Sequence, residues 1–151
     1  LVNEIFVLEN YLELEKLATN QKFDFKIQTD ESIDPEALEI PPMLLQPFVE
    51  NAILHGIKPM KGAGFIEVLF KIQAEYLICE ISDNGIGFEY SSGTSDKGHK
   101  SSAIQITKER LEKINFGNEM HGSIEFVDLK KAQDRLTGTR VIVKIPFFIE
   151  D

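Results

Sequence analysis

Residues 65–87 read FIEVLFKIQAEYLICEISDNGIG, and their pattern predicts two strands and the turn that follows them. Every second residue of 65–72 is apolar from Ile66 to Ile72, and the same spacing over 76–83 places Leu77, Cys79 and Ile81 on one face, which is the period-two pattern of strands with a buried face. The short QAE segment between the two runs predicts an antiparallel hairpin. The second run carries its apolar face on into Asp83, so the pattern places a carboxylate on the inward side of a strand.

The residues after the hairpin are unusual for a strand end. A carboxylate on a buried face must be hydrogen-bonded or neutralised, because removing it alone from water is costly. Asp83 is followed by Asn84, Gly85, Ile86 and Gly87, and the two glycines permit close approach of a ligand to the main chain. Taken alone, these residues are explained equally well by a strand that ends in an Asp-Asn turn.

A second stretch, QPFVENAILHG at 46–56, is predicted to be helical, with Pro47 in the first turn where proline is tolerated. Asn51 and His55 are four residues apart and therefore share one face of the helix. An amide oxygen suits Mg²⁺, which keeps several waters and usually shares its site with phosphates. For His55 alone, a surface or capping histidine beside Gly56 is the plainer explanation.

The rest of the chain supplies the elements of one α+β domain. Residues 84–102 are rich in Gly, Ser, Asp and Lys and are predicted to form a lid or binding loop, with Ser101 and Ser102 placed to cap the helix that follows. The order of elements favours a two-layer α+β sandwich, with helices on one face of a mixed, mainly antiparallel sheet. The predicted helices are 3–18, 43–57 and 103–114, and the predicted strands are 23–28, 65–72, 76–83, 122–127 and 139–147.

Composition and charge narrow the class of protein. The chain has 151 residues, enough for one domain with a real core, and 42% of them are apolar. The formal net charge of −9 argues against a general nucleic-acid surface. The single cysteine, Cys79, favours a reducing compartment. No apolar run approaches the ~20 residues that a membrane span needs.

Three motifs resemble, in order, the ATP-binding catalytic domain of sensor histidine kinases: ENAILHG at 50–56, DNGIGF at 83–88 and GTRVIVKIP at 138–146. This HATPase family lies in the superfamily shared with gyrase, MutL and a heat-shock chaperone. More narrowly, NYLELEKL, IPPMLLQPFVENAILHGI and ITKERLEKI resemble the LytS-type kinases. The resemblance covers about residues 1–147, and the ordered set is far more specific than any single motif.

The resemblance implies a Bergerat-type fold that binds Mg-ATP. At the purine end of the pocket, Asp83 would accept a hydrogen bond from the exocyclic amine of adenine, and Thr139 would lie nearby. Gly85 and Gly87 would begin the ATP lid over the purine.

At the phosphate end, the resemblance implies that Asn51 coordinates the Mg²⁺ that bridges the phosphates and that His55 lies near those phosphates. No side chain of this chain is expected to act as a catalytic acid or base. Phosphoryl transfer depends mainly on positioning and on neutralisation of charge, so little covalent help is needed from the protein.

The resemblance also implies a two-component sensor histidine kinase. The γ-phosphoryl group of ATP would pass to a histidine on an upstream helix that this chain does not contain, and a cytoplasmic response regulator would follow. The full-length protein would be a homodimer without a nucleic-acid partner, and this chain would be the cytoplasmic domain of an inner-membrane sensor. Residues 1–20 would continue a helix from the upstream dimerisation region, and residues 21–151 would form the catalytic domain.

The sequence departs from the family pattern at three positions. Pro47 stands where gyrase-like relatives carry a water-activating glutamate, and proline cannot accept a proton, which favours a phosphoryl donor over a free-running ATPase. Leu54 stands where many relatives have a basic residue that reaches the γ-phosphate, and Ala103 stands where they have glycine before the last helix. Leu54 and Ala103 leave open the alternative of a nucleotide-binding pseudokinase or scaffold with weak or no phosphotransfer. The residues that could compensate for Leu54 are His55, Lys58, Lys97 and Lys100.

Overall fold

The computed structural model describes residues 1–87, 97–114 and 120–147, and only the backbone of 97–102. Within these ranges the helices are α1 (Val2–Ala18), α2 (Gln46–Asn51), which continues as a π-helical turn (Ala52–Ile57), and α3 (Lys97–Lys113). The strands are β1 (Phe23–Thr29), β2 (Gly64–Gln73), β3 (Tyr76–Asp83), β4 (Ser123–Asp128) and β5 (Thr139–Pro146). No helix in the described part of the chain combines the length and the apolar character needed to cross a bilayer.

The sheet is mixed and mainly antiparallel, which confirms the predicted α+β fold class. Its spatial order is β1-β2-β3-β5-β4. β1 runs parallel to β2, and the pairs β2–β3, β3–β5 and β4–β5 are antiparallel. β3 is the central strand, with Ile66 of β2 opposite its last residue, Asp83. The end of β3 is therefore enclosed by a strand on each side.

One core fills the space between the sheet and the helices. The inward residues of the strands lie in the same buried cluster as the apolar sides of all three helices, which is the arrangement that the alternation predicts. Cys79 belongs to this cluster, and burial raises the pKa of its thiol well above the usual value, so the thiol is unreactive at neutral pH. Representative core residues from both layers are Leu8, Leu12, Phe48, Ile53, Val68, Phe70 and Leu111.

The helix predicted over 43–57 differs from the structure in its start and in its second half. α2 begins at Gln46, because Met43 adopts a left-handed φ of 56° that an α-helix cannot contain. Pro47 lies in the first turn, as predicted. The second half, Ala52–Ile57, is π-helical. Such turns are rare and occur often at functional sites.

The boundary predicted between the lid and the last helix is wrong. α3 begins at Lys97, so residues 101–103 lie inside the helix rather than at its start. Later turns of α3 pack on the core, and this tertiary support extends a helix through residues whose local composition indicates a loop. The lid segment 88–96 and the side chains of Lys97 and Lys100 lie outside the described residues.

Tyr11 of α1 gives the fold a dependence on alkaline pH. Burial, assisted by the charges of Glu15 and Glu50, raises the pKa of the Tyr11 phenol to about 12. The unfolded chain has the ordinary value of about 10, so the stabilisation is fully present below about pH 10 and is lost as the pH rises to about 12. Between about pH 8 and about pH 11, we expect the free energy of unfolding to fall on the order of 1 kcal/mol more in the wild type than in Tyr11→Phe. Urea denaturation measures this difference, and equal losses in both proteins would contradict it.

Candidate functional site

A cleft opens where the end of β3 meets α2 and its π-helical turn. The cleft and the solvent-open space at its mouth together amount to about 490 Å³. The lining residues come from α2, the π-helical turn, β3, the loop after β3, α3, β4 and β5: Phe48, Asn51, Ala52, His55, Gly56, Ile81, Asp83, Gly87, Ile104, Phe126, Thr139 and Val141.

Asp83 is the buried polar residue of this cleft. The residue is only 4% exposed, and its Oδ1 accepts a hydrogen bond from the Gly85 N–H at 2.8 Å. Its main-chain oxygen accepts the Gly138 N–H at 3.1 Å. The alternation of β3 therefore places a carboxylate inside the protein, on the wall of the cleft. A desolvated carboxylate in this position is a strong acceptor for a donor group on a ligand.

Glycines bring the backbone close around Asp83. A Cβ added at Gly56 would lie 2.9 Å from Oδ1 of Asp83. A Cβ at Gly138 would lie 2.7 Å from the Gly85 nitrogen and closer still to the Asp83 carboxylate, and a Cβ at Gly85 would lie 2.5 Å from the Gly56 oxygen. These three positions require glycine for space, whereas Gly87 has a φ of 85° and requires it for conformation.

Asn84 fixes the direction in which the chain leaves β3. Its Oδ1 accepts the Phe65 N–H at 2.6 Å, and its Nδ2 donates to the Ala63 oxygen at 3.1 Å. Its main-chain N–H donates to the Phe65 oxygen at 3.2 Å. From the sequence, Asn84 was expected only as part of an Asp-Asn turn, because the available signal was the general preference of asparagine for turns.

Asn51 and His55 both line the cleft, on the same side of the helical segment that carries them. Leu54 is not among the lining residues and is 52% exposed. The ammonium group of Lys58 lies 3.9 Å from the carboxylate of Glu15 rather than in the cleft. Of the residues that could compensate for Leu54 and whose side chains are described, His55 is therefore the one at the cleft.

The donor set indicates what kind of metal site is feasible here. Within the described ranges, no three His, Cys, Asp or Glu side chains gather into a group that could hold a metal ion. Asn51 offers one amide oxygen to the cleft. This is sufficient for Mg²⁺ held mainly by phosphates and waters. The residues thus fit Mg²⁺ that arrives with a nucleotide.

Apolar side chains form much of the remaining wall. The rings of Phe48 and Phe126 lie with their centroids 6.5 Å apart and their planes tilted by 58°. Ile81 and Val141 from the central strands are buried, and Ile104 of α3 is partly buried. A flat, largely apolar ring could bury its faces against this wall. In the sequence, the two phenylalanines were indistinguishable from ordinary core residues.

The structure brings most of the predicted site residues together in the lining of one cleft, namely Asn51, His55, Asp83, Gly87 and Thr139. Gly85 is the exception, because it packs against the backbone of Gly56 instead of lining the cleft. The roles of these residues toward a nucleotide and Mg²⁺ remain predictions.

Comparison with known proteins finds sequence relatives in bacteria, some of them named as sensor proteins. No protein-family model matches it. It is 37% identical over 87 residues to YwpD of Bacillus subtilis, covering 56% of this chain and 30% of that protein. It is 29% identical over 143 residues to the sensor protein LytS of Streptococcus agalactiae, covering 92% of this chain and 23% of that protein. The chain thus spans less than a third of the length of these relatives.

Solved structures with a similar fold are histidine kinase domains. The catalytic domain of histidine kinase ThkA, in a nucleotide-free form, matches with a TM-score of 0.61 at 17% identity, over 97% of this chain and 96% of that chain. The mycobacterial sensor histidine kinase MprB matches with a TM-score of 0.60 at 14% identity, over 94% of this chain and 93% of that chain. Its sequence relatives thus include LytS-type sensor proteins, and its described residues have the fold of the histidine kinase catalytic (HATPase) domain.

Proposed function

We propose that this chain is the ATP-binding catalytic domain of a two-component sensor histidine kinase. It binds Mg-ATP and presents the γ-phosphoryl group to a histidine outside this chain. The observation that carries the proposal is Asp83, a buried carboxylate that lines one cleft together with Asn51 and His55. The kinship with LytS-type sensor proteins supports the same assignment.

The purine is proposed to lie against the apolar wall with its exocyclic amine toward Asp83. An ionised carboxylate accepts hydrogen bonds and cannot donate them. It would therefore favour the 6-amino group of adenine over the 6-oxo group of guanine or hypoxanthine. Thr139 lines the same cleft, one residue after Gly138, whose N–H donates to the Asp83 main-chain oxygen.

The phosphates are proposed to lie toward Asn51 and His55. Asn51 would offer its amide oxygen to Mg²⁺, and His55 would offer its imidazole to a phosphate oxygen. Bound Mg²⁺ supplies neutralisation of the phosphate charge. The contribution of the chain itself is to bind and orient the nucleotide and to keep water from the reacting phosphate.

Phosphoryl donation is proposed rather than steady hydrolysis of ATP. Pro47 lies in the first turn of α2, one helical turn before Asn51, and it has no group that could accept a proton from water. A related chaperone or topoisomerase ATPase would need such a base. Steady release of phosphate from the isolated chain would therefore favour the ATPase class over the kinase class.

The remaining partners are proposed from kinship. The accepting histidine would lie on an upstream helix of the same protein, which would form a homodimer, and a cytoplasmic response regulator would take the phosphoryl group from it. This chain would be the cytoplasmic domain of an inner-membrane sensor. Its relatives named as sensor proteins support this arrangement.

The Mg²⁺ assignment predicts a specific loss in the variant Asn51→Ala. In the wild type, a non-hydrolysable ATP analogue is expected to bind about tenfold more tightly with Mg²⁺ than with EDTA, and the variant should lose this difference. Isothermal titration calorimetry measures both affinities. Asn10→Ala is the matched control, because Asn10 is an exposed asparagine of α1 whose Nδ2 donates to the Phe6 oxygen at 3.0 Å. A variant at position 51 that keeps the full Mg²⁺ effect would contradict the assignment.

A nucleotide-binding pseudokinase or scaffold is the second candidate. The exposure of Leu54 outside the cleft favours it, since a basic side chain that would reach the γ-phosphate in many relatives is missing there. Transfer of labelled phosphate from ATP to a histidine, tested in the protein with its upstream region, separates the two. Binding of Mg-ATP without any labelled histidine would favour the pseudokinase.

A further inference from the structure

Residues 42–45 form the junction through which the chain enters α2, and side chains from two other helices hold this junction. We propose that Glu4 of α1 is a positioning residue for Asn51, and that affinity for Mg-nucleotide depends through Glu4 on how α1 docks. The inference rests on the proposed function, because it concerns how the candidate Mg²⁺ ligand is held in the nucleotide cleft.

The Glu4 carboxylate accepts two main-chain hydrogen bonds from the junction. It is only 4% exposed; its Oε2 accepts the Met43 N–H at 2.8 Å and its Oε1 accepts the Leu45 N–H at 2.9 Å. Met43 has a left-handed φ of 56°, which is uncommon for a residue with a side chain and persists only where the surroundings hold it. The carboxylate therefore fixes both the place and the direction in which α2 begins.

Arg110 of α3 binds the main-chain oxygens of the same junction. Its Nη2 donates to the Pro42 oxygen at 2.6 Å, and its Nη1 lies 3.5 Å from the Met43 oxygen. Glu4 thus accepts hydrogen bonds from N–H groups of the junction, and Arg110 donates hydrogen bonds to its carbonyl groups. The start of α2 is tied in this way to α1 and to α3, and α3 also contributes Ile104 to the cleft.

A displacement of the junction would be passed on to Asn51. Leu45 is fully buried, and so are Phe48 and Val49 in α2 itself. A helix packed on this scale shifts as a unit rather than deforming residue by residue. Asn51 is the last residue of α2, so the position of its amide oxygen in the cleft follows the position of the junction.

The test separates positioning from simple anchoring. Glu4→Gln keeps the size of the side chain but replaces one acceptor with a donor that faces an N–H group. We expect the dissociation constant for a Mg-bound ATP analogue to rise about tenfold. The dissociation constant for adenosine, which would use Asp83 but not Asn51, is expected to change less than about twofold. A purely structural role would lower the free energy of unfolding and leave both dissociation constants unchanged in the folded variant.

Two further variants make the result decisive. Arg110→Met removes the other support of the junction from a partly exposed position and is expected to raise the same dissociation constant about threefold, even if Glu4→Gln does not fold. Glu13→Gln makes the same change of charge on the exposed side of α1 and should bind both ligands like the wild type. This inference alone would be overturned if folded Glu4→Gln and Arg110→Met both bound the Mg-bound analogue with wild-type affinity. It would also be overturned if they lost as much affinity for adenosine as for the Mg-bound analogue. A wild-type chain that binds neither ligand would overturn the proposed function, and this inference with it.

Discussion

The variant Asp83→Asn is expected to bind an ATP analogue about ten- to a hundredfold more weakly than the wild type. In the wild type the carboxylate is buried, and its Oδ1 accepts the Gly85 N–H at 2.8 Å. An asparagine side chain has the same shape but only one acceptor atom, so either the Gly85 N–H or the adenine amine would face an NH₂ donor. The site would lose both a hydrogen bond and the charge that strengthens it.

Comparison of two bases makes this prediction specific. Calorimetry with the adenine analogue and with its hypoxanthine counterpart should show a preference for adenine in the wild type, and Asp83→Asn should lose or reverse that preference. Asp24→Asn is the control, because it makes the same change of charge on an exposed side chain of β1. An unchanged affinity and base preference in a folded Asp83→Asn protein would remove the central claim of the proposed function.

The strands and the inward carboxylate could be predicted because their signals are local. A strand alternates its faces with every residue, so the pattern of 65–72 and 76–83 determines which side chains face the core. Asp83 continues that pattern without a break. The order of the helices and strands then restricts the arrangement to few layer architectures. Hence the α+β sheet and the buried position of Asp83 follow from the sequence with little tertiary information.

Contacts between residues far apart in the chain could not be predicted in this way. Glu4 lies in a helix rich in glutamate, and its burial depends on N–H groups 39 and 41 residues away. Arg110 has the pattern of an exposed helical charge, yet it donates to the Pro42 oxygen, 68 residues away. The approach of Gly56 to Asp83 likewise depends on how the π-helical turn lies on β3. Periodicity and residue propensity describe only neighbouring residues, so they could not predict these long-range contacts.

The variant Gly138→Ala is expected to lose about 3 kcal/mol or more of its free energy of unfolding and to lose nucleotide binding as well. Gly138 is buried, and its N–H donates to the Asp83 main-chain oxygen at 3.1 Å. An added Cβ would lie 2.7 Å from the Gly85 nitrogen and closer still to the Asp83 carboxylate and carbonyl groups. Two of these neighbours are backbone atoms, so no change of rotamer could relieve the overlap, and the strands would have to separate.

Gly62→Ala supplies the contrast that identifies the cause. Gly62 has a φ of 95° and no atom within 4 Å of an added Cβ, so its replacement is expected to cost only the conformational penalty of about 1 kcal/mol and to leave nucleotide affinity unchanged. Urea denaturation and calorimetry on the two variants measure both quantities. If Gly138→Ala were as stable as Gly62→Ala and still bound the ATP analogue, the added methyl group would have to fit beside Asp83 without displacing it. Close packing at the end of β3 would then not be what orients the Asp83 carboxylate.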